Sequence, residues 1–485
     1  MKRISFVNML VLGLVLTVGQ TAQAQDTVWT RTYGHADELG LCGNVCLDGG
    51  YIAGGISYYF SGLSGEFWLV RTDSNGDTLW TRNYGGDRWQ EAHYVIETTD
   101  GGFAICGATN IAVGDYDMFI VKTNASGDTL LTRRFGSAGI PNDDGQAIIQ
   151  TSDGGYLAVG NDHVGINTQL LMVKLNASGD SLWTKRYGGP YSDYGYGVVE
   201  TADQGLAITG AYSLPSGSTD LWLLRTYPNG DTLWTRRFDF HGGMDCGNGI
   251  VLAPDGGFVI GGRTWLGSYS QLLVLRTDSL GHFVWSREFG ATSTDEFAES
   301  IDMTADSCFV IGGGAGPIPY DFYIAKVSAT GDSLWARRYD GPGGGQSDVC
   351  YEVRVDPAGF IMAFGHTDTS STGYDSEYWV LKIRGSQTAI DDDTGILPGQ
   401  SFTMENYPNP FNLSTMIRYR LPARALVSIS IYNLLGQRVA TLDPGLQESG
   451  MHSVSWDADA FPSGIYFAWL QTLEQTKSTK MLLLR

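Results

Sequence analysis

The sequence predicts an all-β chain, and three observations carry that prediction. A phrase made of a turn, Asp-Thr-Leu-Trp-Thr-Arg, an aromatic and glycine recurs seven times. Its anchors are Trp29, Trp80, Leu131, Trp183, Trp234, Trp285 and Trp335, spaced 50 to 52 residues apart. Between anchors, short alternating β-rich runs are separated by Gly-rich turns, with no helical period. Glycine is abundant (65 of 485 residues) and proline is not (15), a balance that suits many tight turns rather than disorder. A fixed period of this length denotes a solenoid, a propeller or an array.

One repeat shows the unit. "AHYVIETT", "FAICGAT", "MFIVKTN" and "TLLTRRF", between Ala92 and Phe135, read as four strands. They are joined by a "DGG" hairpin, the loop "NIAVGDYD" and the turn "ASGD". A four-stranded unit repeated radially is a propeller blade. The ends define the closure. The first phrase, 27–33, is a lone fourth strand, and the last repeat supplies three strands near 348–355, 359–366 and 376–383. Pairing the two completes a blade and removes two open edges. Residues 26–385 are therefore expected to form a seven-bladed β-propeller closed by its N-terminal strand. The Trp of each phrase is expected between neighbouring blades. Two series of cations recur in every blade and are assigned structural work. Arg71, Lys122, Lys174, Arg225, Arg276, Lys326 and Lys382 end the third strands, and Arg31, Arg82, Arg133, Lys185, Arg236, Arg287 and Arg337 follow the anchors.

The N-terminus reads as a signal peptide over 1–24: Lys2 and Arg3, an apolar run from Met9 to Val18, then Ala22-Gln23-Ala24. That run is short for a membrane span, and no later stretch reads as a transmembrane segment. The net charge of −21 opposes nucleic-acid binding. The six cysteines fall at non-equivalent repeat positions and are read first as buried or solitary thiols; Cys42 and Cys350, on inner strands of blades that become neighbours on closure, are the most plausible pair for a disulfide.

Residues 386–400 read as a polar, acidic linker and 401–485 as a small β-sandwich of roughly seven short strands. This tail is nearly neutral, seven cations against six acids, so the acidity lies before it. Its blocks "YPNPFNLSTMIRYRLP", "VSISIYNLLGQRVATL", "HSVSWDA", "PSGIYFAWLQT" and "KMLLLR" resemble, in order, the C-terminal sorting domain of type IX secretion cargo. They are also similar to the immunoglobulin-like domain of flagellar hook-capping proteins. The resemblance implies an immunoglobulin-like sandwich, export through the outer membrane of a Gram-negative bacterium, and a partner in the secretion machinery. The repeats more loosely resemble Gly-rich arrays of secreted bacterial proteins.

Motifs of known chemistry are few. No GxSxG, HExxH or Walker loop occurs, and the seven histidines are scattered. "DSNGD" at Asp73 lacks the ligand spacing of a calcium loop and reads as a turn. The loops joining strands two to three and four to one vary freely on one face, where binding usually resides. They carry the candidate ligand-binding residues Tyr58, Tyr59, Trp89, Tyr191, Tyr194, Trp265 and Tyr269, aromatics suited to stacking on sugars or anchoring a protein. An acid precedes each innermost strand: Glu38, Glu91, Asp143, Asp193, Asp245, Glu296 and Asp348. A ring of these could hold Ca²⁺; capping of backbone N–H groups is the favoured alternative, and no other cofactor is indicated. The sequence thus predicts a secreted or surface-displayed binding or adhesion protein with a glycan or protein ligand. A polysaccharide hydrolase or lyase using acids such as Asp143 and Asp144 is the alternative, and a purely structural component a third reading.

Overall fold

The computed structural model describes residues 26–34, 38–58, 65–85, 89–112, 115–136, 143–290, 293–342, 346–368, 376–385, 403–407, 409–421, 425–433, 437–447, 450–472 and 476–484. The signal-like segment 1–24, the linker 386–400 and Tyr59 lie outside these residues, as does the side chain of Tyr58. The described residues form strands and turns with no helix, so none could cross a membrane as a helix. The chain divides into two compact units, meeting in sequence at 395 and 396.

In the first unit the described residues form seven four-stranded antiparallel sheets. Six take their strands in chain order. The seventh runs Thr27–Tyr33, Ser376–Arg384, Phe360–Asp368, Asp348–Val355, so the N-terminal strand pairs with the last. The inner strands are Glu38–Val45, Gln90–Glu97, Asp144–Gln150, Tyr194–Glu200, Asp245–Leu252, Asp295–Met303 and Asp348–Val355. Each packs against the next, and Asp348–Val355 packs against Glu38–Val45, completing a cycle around a lumen. These repeated sheets fit a propeller.

The recurring phrase clamps each sheet to the next. The Trp80 ring meets Phe103 of the second sheet edge-on at 5.7 Å, and the Arg82 guanidinium lies over the Trp80 ring at 5.6 Å. The Tyr84 hydroxyl donates to Gly127 O at 2.7 Å, in the last turn of that sheet. Gly127 has φ +80°, and a Cβ there would fall 3.0 Å from the Trp80 ring, so both backbone and packing demand glycine. Trp29 with Tyr33 and Trp183 with Tyr187 clamp the turns at Gly76 and Gly230 in the same way. All seven third-strand cations are buried and pair with the acid of their own sheet's first turn, as Lys122 does with Asp100 at 3.0 Å.

The seventh sheet has no turn between its third and fourth strands, because the chain does not connect there. Asp26 stands in for the missing turn acid. It is 2% exposed, pairs with Arg337, accepts from the Tyr339 hydroxyl at 3.0 Å, and takes the Arg384 N–H on its carbonyl at 3.0 Å.

All six cysteines are free, in line with the favoured reading, and the candidate Cys42–Cys350 disulfide is not formed. Cys42 Sγ turns toward Ala92 O of the second sheet, 3.9 Å away. Cys350 Sγ packs at Gly312 of the sixth. The two thiols face opposite neighbours.

The second unit has two sheets. One runs Thr403–Tyr407, Ser414–Leu421, Gly450–Asp457; the other runs Arg438–Gln447, Ala425–Asn433, Gly464–Gln471, Thr476–Leu483. Ile417 and Tyr419 of the first share a core with Ile429, Leu470 and the buried Trp456. Alternation along each strand supplies that apolar face.

Candidate functional site

Every inner strand carries a β-bulge at the same level. Register shifts fall between Gly40/Cys42, Ala92/Tyr94, Gly145/Ala147, Gly195/Gly197, Gly247/Gly249, Ala298/Ser300 and Cys350/Glu352. The extra residues are Leu41, His93, Gln146, Tyr196, Asn248, Glu299 and Tyr351, all half-buried. A bulge leaves one residue unpaired and re-aims its side chain; here it presents six kinds of side chain to the lumen, tyrosine twice. The residue before each is small because the preceding sheet packs close: a Cβ at Gly195 would fall 2.7 Å from Leu170.

Two polar groups stand on this wall. On the second and third sheets, His93 Nε2 lies 3.1 Å from Glu91 Oε1 and Nδ1 lies 3.0 Å from Gly145 O. Both ring nitrogens thus face acceptors, the geometry of an imidazolium. Burial alone would lower the His93 pKa, but the Glu91 carboxylate outweighs it and raises it to about 9. Burial would raise Glu91; its hydrogen bond to His93 holds it below the usual range. Asp144 accepts from Gln146 Nε2 at 2.8 Å and Asn161 Nδ2 at 2.9 Å, and burial raises its pKa. Trp89 Nε1 donates to Glu91 Oε2 at 3.4 Å.

The second group lines a cavity of about 240 Å³ between the fifth, sixth and seventh sheets. Its wall includes Arg263, Trp265, Phe297, Glu299, Tyr320 and Tyr351. Arg263 stacks over Phe297 at 5.6 Å, and its guanidinium stands 4.0 Å from Glu299 Oε1. Asn248 Nδ2 holds Glu299 Oε2 at 2.9 Å; burial raises the Glu299 pKa against the pull of Arg263. Phe297 meets Tyr320 edge-on at 5.2 Å, and Tyr351 stacks on His366 at 5.6 Å. The wall offers aromatic faces beside a few fixed polar groups, the composition of a small-ligand site.

Of the predicted aromatics, Trp265 lines the cavity and Trp89 joins the Glu91–His93 group. Tyr194 lies on an inner strand, stacked parallel on Tyr196 at 6.2 Å. Tyr191 and Tyr269 are 40% and 38% exposed, apart from the cavity wall. The acids preceding the inner strands mostly turn into their own loops. Asp193 accepts from Gly189 N at 2.5 Å and Ser213 N at 2.7 Å; Asp245 accepts from Phe240 N at 2.9 Å and Asp348 from Gly341 N at 2.7 Å. Asp143 takes His163 N at 2.6 Å, Glu38 is buried beside Gly34, and Glu296 bonds Thr294 and Arg338. Glu91 is out of register with this set. Gln90, opposite Thr109, occupies the position that Asp245 holds opposite Thr264, and Glu91 faces the lumen one residue on. Among the described residues, no three His, Cys, Asp or Glu converge to hold a metal ion. Asp143, fully buried against its loop, does not join Asp144 on the wall. The bulge residues escaped sequence reading, although an acid, one residue, a small residue and then a variable one recur in six repeats.

No curated protein is significantly similar to the chain. Similar solved structures include PorZ, described as an essential bacterial surface component of the type-IX secretion system of Porphyromonas gingivalis. It has 12% identity and a TM-score of 0.38, covering 90% of this chain and 58% of its own. A Dyadobacter fermentans protein of unknown function has 11% identity and a TM-score of 0.44, covering 74% and 99%. Sqt1 from Chaetomium thermophilum has 10% identity and a TM-score of 0.43, covering 70% and 82%. Residues 405–484 match the family described as the secretion system C-terminal sorting domain. The tail is a sorting domain of that family, and it marks the chain as type IX cargo bound for the cell surface or the medium.

Proposed function

We propose that the chain is a noncatalytic ligand-binding or adhesion protein. Signal peptide 1–24 and sorting sandwich 401–485, an immunoglobulin-like domain joined by linker 386–400, deliver a seven-bladed propeller, 26–385, closed by its N-terminal strand. Its ligand is an extracellular glycan or protein, bound at the lumen mouth on the variable-loop face. The observation that carries this reading is the cavity of about 240 Å³, where Trp265, Tyr320 and Tyr351 stand beside Arg263 and Glu299. Aromatic faces pack on sugar rings while fixed polar groups take hydroxyls. The test is an array of glycans and surface polymers probed with the purified protein, with calcium and then with chelator. Saturable hits lost in Trp265→Ala support the reading. Turnover of a hit abolished by Glu299→Gln or Asp144→Asn would replace it with the polysaccharide hydrolase or lyase. A blank array from folded protein removes the glycan.

A further inference from the structure

Sheets that are not neighbours touch each other in the lumen. Tyr94 belongs to the second sheet and Arg354 to the seventh, with the first sheet between them. Yet Arg354 donates to the Tyr94 hydroxyl, and its guanidinium lies 5.5 Å from the Tyr94 ring centre. Inner strands two sheets apart reach each other only across the central space. The contact is dry: the side chains of Arg354 and its partner Glu352, 2.6 Å away, are 16% and 6% exposed.

Two of the strands that line the cavity are joined directly beyond it, toward the short-turn face. Asp295–Met303 and Asp348–Val355 both run from the variable-loop mouth toward the short-turn face. Phe297, Glu299 and Tyr351 line the cavity on the way. Immediately beyond, the strands fasten together. Ser300 Oγ donates to Glu352, Val353 N donates to Ser300 Oγ at 3.2 Å, and Val355 N donates to Asp302 Oδ2 at 2.8 Å. The cavity therefore has a mouth and a floor. Its volume of about 240 Å³ falls below the roughly 300–1,000 Å³ of sites that hold drug-sized ligands. It is scaled to one sugar ring.

We infer that the cavity recognises the terminal unit of a glycan rather than an internal stretch. This rests on the glycan reading above. A chain passing through would have to leave by the floor, where Arg354, Glu352 and Tyr94 stand; a chain end can enter, stack on Trp265 and Tyr351, and leave the rest of the polymer outside. Affinity then resides in one ring, and further units add little.

The experiment uses the full chain and methyl glycosides of glucose, galactose, mannose, rhamnose, N-acetylglucosamine and glucuronic acid, read by tryptophan emission. Trp265→Phe is the control. The expected result is that at least one methyl glycoside saturates the signal and displaces the array hit. The response is weakened in Glu299→Gln, whose melting temperature stays near that of the parent. Oligomers of the same sugar should bind no more than about tenfold more tightly. Two results overturn the inference while leaving the glycan reading intact. In one, array hits occur but no methyl glycoside competes. In the other, affinity climbs by more than about a hundredfold from one unit to four. A blank array from folded protein overturns both.

Discussion

The clamps between sheets and the wall of the lumen are built on one repeat, yet they use it in opposite ways. Around the outside, Trp and cation recur with the same partners in sheet after sheet, the aromatic that follows them is Tyr or Phe, and the one Leu, at 131, keeps the apolar bulk against Gly179. On the inside the backbone repeats, bulge included, while the bulged side chain changes in nearly every sheet. The clamp has one neighbour to satisfy and one good way to do it. The wall faces open space, so packing does not dictate its chemistry. Repetition here marks what holds the ring, and departure from repetition marks what the ring can hold.

Four measurements break or sharpen this comparison. The largest effect is expected at the closure. Asp26→Ala leaves the half-buried Arg337 without its acid and the Tyr339 hydroxyl without its acceptor; losing one partner of a buried pair costs about 3–5 kcal/mol, and the partial exposure of Arg337 sets the expectation at the low end of that range. Thermal unfolding should show a large drop in melting temperature, and an unchanged midpoint would show that ring closure adds nothing to stability. Trp80→Ala empties one clamp and should cost about 3 kcal/mol, toward the low end for a large core aromatic because Trp80 is only half-buried. Glycan binding at the wall should survive it at temperatures well below the midpoint.

The third effect is pH-dependent. The His93 pKa is raised to about 9 from 6.5, so the folded state binds the proton more tightly than the unfolded chain. Its stabilisation is fully present below pH 6.5 and is lost as pH rises through 9. A rise from 6.5 to about 9 corresponds to at most about 3.5 kcal/mol, since one pKa unit is about 1.4 kcal/mol, and screening at the partly exposed ring brings the expected loss to about 2–3 kcal/mol. It should vanish in His93→Gln, and a parallel pH profile for the two proteins would deny the imidazolium. Asp348 works in the same direction at lower pH. Burial raises it to about 6, so its contribution is fully present below pH 3.8 and is lost as pH rises through 6. The smallest stability effect belongs to the wall itself. Asn248→Ser should move the midpoint by less than about 1 kcal/mol while weakening ligand binding, because it frees the Glu299 carboxylate. A large stability loss there would make the bulge residues part of the clamp.

Much of the architecture was legible in the amino-acid order. The period set the repeat, the lone strand at Thr27 called for a partner, and Ser376–Arg384 supplies it. Of the cations assigned structural work, the third-strand series is buried against the turn acids, and the series after the anchors lies mostly over the Trp rings. The site was less legible. Trp265 could be named because an aromatic in a variable loop stands out. Arg263, Glu299 and Tyr351 could not, because nothing within one repeat says that three sheets will converge on a cavity. Glu91 was read one residue out of register because Gln90 takes the position that an acid holds in the other six repeats, and the residue after it is itself an acid. Cys42 and Cys350 were paired because neighbouring strands were equated with facing thiols.

Sequence alone determined the local items: strand and turn order, the clamp chemistry, and the sorting tail, each encoded within a few dozen contiguous residues. Tertiary structure alone decided which faces meet. The cavity joins residues from Arg263 to Tyr351 on three sheets, and the contact across the lumen joins Tyr94 to Arg354 from sheets that only the closed cycle brings together. Periodicity fixes which residues share a face of a strand; only the closed cycle of sheets fixes what that face looks upon.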